Sequence, residues 1–330
     1  MSAALTNLVS LPSLLIACLL FALASTGHAA GPPPALPEGN AGVAVRYPGD
    51  AGIEKDPAVI FHEDFEDCRT TADLSKKWDA MWGQAHISIA DGPANVNSGR
   101  RAVEMTIPKQ DTFLSVNIGR TLAVTRDVLF LRFYTKFQKG YDLPHTSSHN
   151  MASISAGYFP GGQATPGIRA DGRNKFLVDL ETEITAPGNH PAPGPLDVYI
   201  YHPEQRSRYG DAFYPDGTVQ PHPDRPGNFG PYFVPRPNFI PETGRWYCFE
   251  YMVQANTPGQ RDGRVACWVD GKLVADFPNL RLRDVDALKI DRFDIGLYIA
   301  ENSLRENKKW WDDIVAATSY IGPRVPAAPE

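Results

Sequence analysis

From Ala58 onward the chain is patterned by alternation: apolar residues recur at every second position in short runs, and Pro/Gly-rich breaks separate the runs. Between Arg245 and Phe277 the alternation is densest. Tyr247, Phe249, Tyr251 and Val253 interleave with Trp246, Cys248, Glu250 and Met252, so one side of a strand can be buried while the other meets something different. The turn-forming NTPGQRDG then leads to a second strand, Arg264 to Val269, and the Asp-Gly of WVDGKLV closes into a third. Further strands are predicted within VIFHEDFED and at His86 to Ala90, Ala102 to Ile107, Phe113 to Ile118, Val128 to Phe137, Met151 to Ser155, Lys175 to Ile184 and Asp197 to His202, with a short helix or turn over Leu74 to Trp82. Regular strands without long helical patterns predict an all-β sandwich.

Period-two sorting assigns side chains to faces. In Phe176 to Ile184 the apolar positions are Phe176, Val178, Leu180 and Ile184, which leaves Asp179, Glu181 and Glu183 together on the other side. Leu196, Val198 and Ile200 likewise oppose Asp197, Tyr199 and Tyr201, and Leu129, Leu131, Phe133 and Phe137 oppose Arg132, Tyr134, Lys136 and Gln138. Placed in one sheet, these strands would present rows of cations, acids and tyrosines. Aromatic rings beside charges suit sugar binding, because a pyranose offers an apolar C–H face and hydroxyl edges. The expectation is a carbohydrate groove.

The ends of the chain read differently. Leu14 to Ala24 is an apolar run too short to span a bilayer, followed by STGHAA, which suits signal peptidase; residues 1–30 are expected to be a signal peptide and the protein to be secreted or periplasmic. Leu15-Ile16-Ala17-Cys18 also matches a lipoprotein box, but apolar residues continue after Cys18 where a polar tether belongs. Residues 31–57, rich in Pro, Gly and Ala, are expected to form a linker, and residues 58–330 one domain. The net charge of -6 speaks against a nucleic-acid partner. Cys68, Cys248 and Cys267 allow one disulfide, its pairing open, and their spacing excludes a zinc ribbon.

Two chemistries fit an acidic, aromatic groove. Hydrolysis needs a carboxylate pair roughly 5 to 9 Å apart, and Glu181 and Glu183 lie about 7 Å apart along one strand face by the rise of a strand. Elimination in a uronic acid polymer needs a cation or amide to neutralise the substrate carboxylate, a base for the C5 proton and an acid for the leaving oxygen. Arg132, Lys136 and Gln138 fit the first role, His149 the second and Tyr201 the third, with Tyr134 and Tyr199 beside them; His145 lies just upstream of His149. The third alternative is a non-catalytic carbohydrate-binding protein using the same groove.

The W-x-D-G hairpin and the late W-x-D-D-I strand resemble the concanavalin A-like jelly rolls. More specifically, WYCFEYMVQANTPGQRDGRVACWVDGKLV, LRLRDVDALKIDRF and WWDDIVAATSYIGP, between Trp246 and Pro323, resemble the polysaccharide-lyase-like members related to glucuronan and alginate lyases. That resemblance implies a concave sheet holding a uronate chain and β-elimination by Tyr and His. Phe293, Gly296 and Tyr298 match the F-x-x-G-x-Y strand that carries a catalytic tyrosine in some alginate lyases, although Asp294 stands where the pattern has lysine and no Q-I-H triplet is present.

Other positions complete the expected site. Arg206, Arg208 and Tyr209 open a long Pro/Gly/aromatic loop, Tyr209 to Pro241, that also contains His222 and is suited to gripping a polyanionic sugar. If first and last strands pair, Asp64, Glu66 and Asp313, with their acidic neighbours, are suited to a structural Ca²⁺. No catalytic cofactor is expected. The reading is of a monomer acting on an acidic polysaccharide, without a membrane span. Trp310 and Trp311 cannot both point inward from one strand.

Overall fold

Alternation decides which residues are buried, and the buried ones define two sheets. The computed structural model describes residues 31–142, 148–183, 190–220 and 229–327. The strands run β1 (Val59–Glu63), β2 (Ala80–Trp82), β3 (Ile87–Ala90), β4 (Ala102–Ile107), β5 (Leu114–Arg126), β6 (Val128–Phe137), β7 (Ser148–His149), β8 (Ala152–Ala156) and β9 (Phe176–Thr182). They continue as β10 (Leu196–Tyr201), β11 (Asp211–Phe213), β12 (Val219–Gln220), β13 (Trp246–Gln254), β14 (Gly263–Val269), β15 (Lys272–Leu280), β16 (Ile290–Ile299) and β17 (Asn307–Ala317). Helical structure among the described residues is limited to short 3₁₀ turns; one at Thr71–Lys76 overlaps only the start of the predicted helix-or-turn segment, Leu74 to Trp82, whose end is strand β2.

The first sheet has the order β15-β14-β13-β6-β17-β4-β3, with β1 also on β17; the second has β12-β11-β10-β9-β8-β16-β5-β2, with β7 also on β16. The strand pairings are antiparallel, as a sandwich of hairpins and long crossovers requires. Leu131, Phe133, Phe249, Tyr251 and Trp311 from one sheet meet Val178, Leu180, Val198, Phe293 and Ile295 from the other in the central core. First and last strands do pair, with Glu63 opposite Ile314. Trp311 enters the core while Trp310 turns to the far face and donates to Glu104.

Three expectations are corrected. Residues 34–57 are not a linker but pack on the far face of the first sheet, where Val43, Ala44 and Ile53 join Trp268, Tyr320 and Ile321 in a second apolar cluster. Cys68, Cys248 and Cys267 are buried free thiols; Cys68 and Cys267 lie in the core, whereas Cys248 lies on the opposite face of its sheet, beside Tyr134. The strands carrying Arg132 and Asp179 do not share a sheet: β6 belongs to the first and β9 to the second. The expected signal peptide, His145 and His222 lie outside the described residues.

Candidate active site on the second sheet

Because Val178, Leu180, Val198 and Ile200 face the core, Asp179, Glu181, Asp197, Tyr199 and Tyr201 share the outer face of the second sheet. Antiparallel register puts Asp197 across from Glu181 and Tyr199 across from Asp179. The row continues from Asp179 through Ser153 to Asp294 and Gly119.

His149 arrives on β7, directly opposite Tyr298 of β16. The next residue locks it in place. The Asn150 side chain donates to the Thr182 carbonyl at 2.9 Å and accepts from the Thr182 N–H at 3.1 Å, tying β7 to the end of β9. From the opposite sheet Lys309 crosses the core and donates to the Asn150 carbonyl, its ammonium 3.9 Å from the Phe137 ring centroid. Burial holds that ammonium well below the usual lysine range.

His149 is thereby presented to two acids. Its Nδ1 hydrogen-bonds the Glu181 carboxylate and lies 3.5 Å from Asp179. The imidazole is part-exposed while both acids are buried. Burial pushes Asp179 up to about 7, an effect that the neighbouring His149 partly offsets. Glu181 is raised by burial and then by Glu183; Asp197 is raised by burial and then by Glu181 and the other acids. The Tyr199 ring lies 5.1 Å from the imidazole and the Tyr298 ring 5.4 Å. Burial, followed by the Tyr209 and Tyr201 phenols, raises Tyr298, so it is protonated at neutral pH.

Gly296 floors the adjoining cleft. A Cβ there would come within 1.8 Å of Asn117 Oδ1 and 2.5 Å of the Val116 carbonyl, so glycine is what permits the close approach. Asp294 is closed by Arg292 through two bonds of 2.8 and 2.6 Å, and the guanidinium lies against the rings of Trp82 and Phe159.

Not every expected site residue is here. Arg132 is fully buried on the far face of the first sheet, bound to Asp50 and to the carbonyls of Gly322 and Asp313. On the same strand, Tyr134 accepts the Arg324 N–H, Lys136 donates to Asn95 between the rings of Trp246 and Trp310, and Gln138 accepts the Lys308 N–H. These four belong to the first sheet and lie away from the acidic cluster on the second. Tyr201 is on the right face but buried: its hydroxyl accepts the Gly167 N–H, and Lys175 sits over its ring. Tyr199 accepts the Gly210 N–H at 2.8 Å. Glu183 follows β9, and Arg206, Arg208 and Tyr209 are exposed on the turn after β10, with Arg208 over the Tyr209 ring.

Asp64, Glu66 and Asp313 border one cavity of about 560 Å³ together with Asp50, His62 and Lys77. Their oxygens are occupied by local donors: Glu66 accepts from the Arg100 and Arg101 N–H groups, and Asp313 from Asn97 and Ser98. Among the described residues, the three side chains whose donor atoms all approach within 4.8 Å are instead His149, Asp179 and Glu181. Sequence reasoning missed Asn117, Asn150, Ser153, Arg292 and Asp294. The Arg292/Asp294 alternation in IDRFDIGLYI was the available signal; isolated small polar residues carry none.

No protein-family model and no curated protein sequence matches this chain. Among solved structures it is similar to alginate lyase Aly36B in complex with an alginate tetrasaccharide, at 17% identity over 80% of this chain and 98% of that one, with a TM-score of 0.55. It is also similar to alginate lyase vAL-1 from Chlorella virus (16%, 79% and 100%, TM-score 0.53) and to endo-β-1,4-glucuronan lyase from Trichoderma reesei (16%, 79% and 96%, TM-score 0.50). These likenesses establish the polysaccharide-lyase-like jelly-roll fold.

Proposed function

We propose that this chain is an exported polysaccharide lyase that cleaves a uronic-acid-containing polymer by β-elimination. The observation that carries the reading is the pairing of His149 with Tyr298 on the open face of the second sheet, above buried acids. The shared fold with enzymes named as alginate and glucuronan lyases supports it by analogy.

With Nδ1 held by Glu181, Nε2 of His149 is the ring nitrogen available as base. It takes the C5 proton of the sugar; the C4–O bond breaks, the C4–C5 double bond forms, and the Tyr298 phenol supplies the proton that the leaving oxygen gains. His149 then loses its proton to solvent and the Tyr298 phenolate regains one from solvent, so no co-reactant is consumed. Arg208 and Tyr209, on the exposed turn, are suited to a neighbouring uronate.

A second reading, retaining glycoside hydrolysis, is favoured by one feature: the Asp179 and Glu181 oxygens approach within 4.8 Å, near the ~5 Å separation of a nucleophile and acid pair. Incubation with glucuronan, alginate, pectate and glycosaminoglycans separates the two. Ultraviolet absorbance from an unsaturated uronate is the expected result. New reducing ends without that absorbance would replace the lyase with the hydrolase, and neither signal, with retention on a polysaccharide gel, would leave a binding protein.

A further inference from the structure

Elimination needs positive charge against the carboxylate of the reacting sugar, yet the cluster at the centre of this face is acidic. Arginine and lysine side chains on or beside this face are committed elsewhere. Arg292 is closed on Asp294, and Lys175 donates to Thr165 beside the rings of Tyr158 and Tyr201. Arg208 stands over Tyr209 on a turn, off the strands that carry the cluster.

The cluster has the form of a cation site. His149, Asp179 and Glu181 each offer a donor atom within 4.8 Å of the other two, and buried carboxylates at that spacing repel unless something positive lies between them. An independent feature points the same way. Asp197 is fully buried on the same face, directly across from Glu181, and neither of its carboxylate oxygens has a hydrogen-bond partner. An unpartnered buried carboxylate is costly unless a nearby cation or a proton compensates it. A cleft of about 30 Å³ lined by His149, Asp179, Asp294 and Gly296, but not by Glu181, adjoins the cluster.

We propose that His149, Asp179 and Glu181 bind one divalent metal ion, with Asp197 adding negative charge beside it. The site does not rest on the lyase reading: a metal-bound imidazole keeps its proton on Nε2, so the ion-loaded state is distinct from the one in which His149 acts as base. One imidazole nitrogen and two carboxylates match Mn²⁺ or Zn²⁺ better than Ca²⁺, which takes six to eight oxygens. Three protein donors leave coordination positions open for substrate oxygens.

The test is Mn²⁺ titration of the chelator-treated, re-dialysed protein, followed by the paramagnetic resonance of free Mn²⁺. One ion is expected to bind, with affinity reduced by more than about tenfold in Asp179→Asn and Glu181→Gln and unchanged in Asp64→Asn; melting curves establish that each variant folds. A readout on the unaltered chain covers the case of misfolding: Mn²⁺ should broaden the His149 ring protons ahead of those of His62, which lines the separate acidic cavity. Absence of uptake, equal uptake in all variants, or earlier broadening of His62 overturns the site. Mn²⁺ binding without unsaturated product from any polymer leaves the site standing and removes the lyase; unsaturated product formed at an undiminished rate with Mn²⁺ saturating overturns ligation by His149.

Discussion

His149 and Tyr298 face each other across adjacent antiparallel strands, their rings 5.4 Å apart and inclined by 23°. The pairing brings a part-exposed imidazole and a half-buried phenol to one spot on an otherwise acidic face. A base and a proton donor on one face are the pair that the proposed elimination uses.

Tyr298 and Tyr201 should therefore separate in function. Tyr298→Phe is expected to lower elimination by about 10²- to 10⁴-fold, whereas Tyr201→Phe, which removes a buried hydroxyl that accepts from Gly167, should cost about 1 kcal/mol of stability and little activity. Initial rates of ultraviolet absorbance and urea melts check both. Equal loss of activity in the two variants would return Tyr201 to the acid role.

Arg132 is expected to matter for folding and not for substrate. It is fully buried against Asp50, and removing one partner of a buried pair typically costs about 3–5 kcal/mol. Arg132→Ala should shift the urea midpoint by a corresponding amount while the folded fraction keeps its KM. A raised KM without destabilisation would place Arg132 at the substrate after all.

Asn150→Ala should loosen His149 without touching it. Loss of the amide's bonds to Thr182 is expected to cost roughly 1–3 kcal/mol and to lower kcat more than it raises KM. Stopped turnover assays alongside thermal melts report the two effects separately.

Stability should fall as pH rises through neutrality. Glu250 is buried and, although it accepts the Ile321 and Gly322 N–H groups at 2.7 and 2.8 Å near Arg132, burial pushes it up to about 7. The folded state then holds a proton that the unfolded chain has released, so this group's contribution is greatest below the ordinary carboxylate range of about 4.5 and is lost by about pH 7, a change of roughly 3 kcal/mol. Urea melts between pH 4.5 and 7.5 should show the decline, and Glu250→Gln should flatten it. An unchanged slope in that variant would assign the dependence to other buried acids.

The β-class, the strand positions and the inward faces were legible because burial imposes a period of two on each strand by itself. Asp179, Glu181, Asp197, Tyr199 and Tyr201 were assigned to one face on that basis, and they share it. The same rule correctly sent Arg132, Tyr134 and Lys136 away from the core but gave no information about which sheet they would leave from. Sheet membership depends on pairings such as β6 with β13 and β16 with β5, between segments distant in sequence. A local pattern carries no record of them.

Alternation alone thus determined a two-faced strand protein with an acidic, tyrosine-bearing surface. The tertiary structure decided that residues 34–57 cover one sheet, that Arg132 binds Asp50 of that cover while Lys136 binds Asn95, and that His149 meets Tyr298 and Glu181 on the other. The reason is physical: a strand specifies its own sides through the geometry of its backbone, whereas its neighbours are selected by the free energy of the whole packed sandwich.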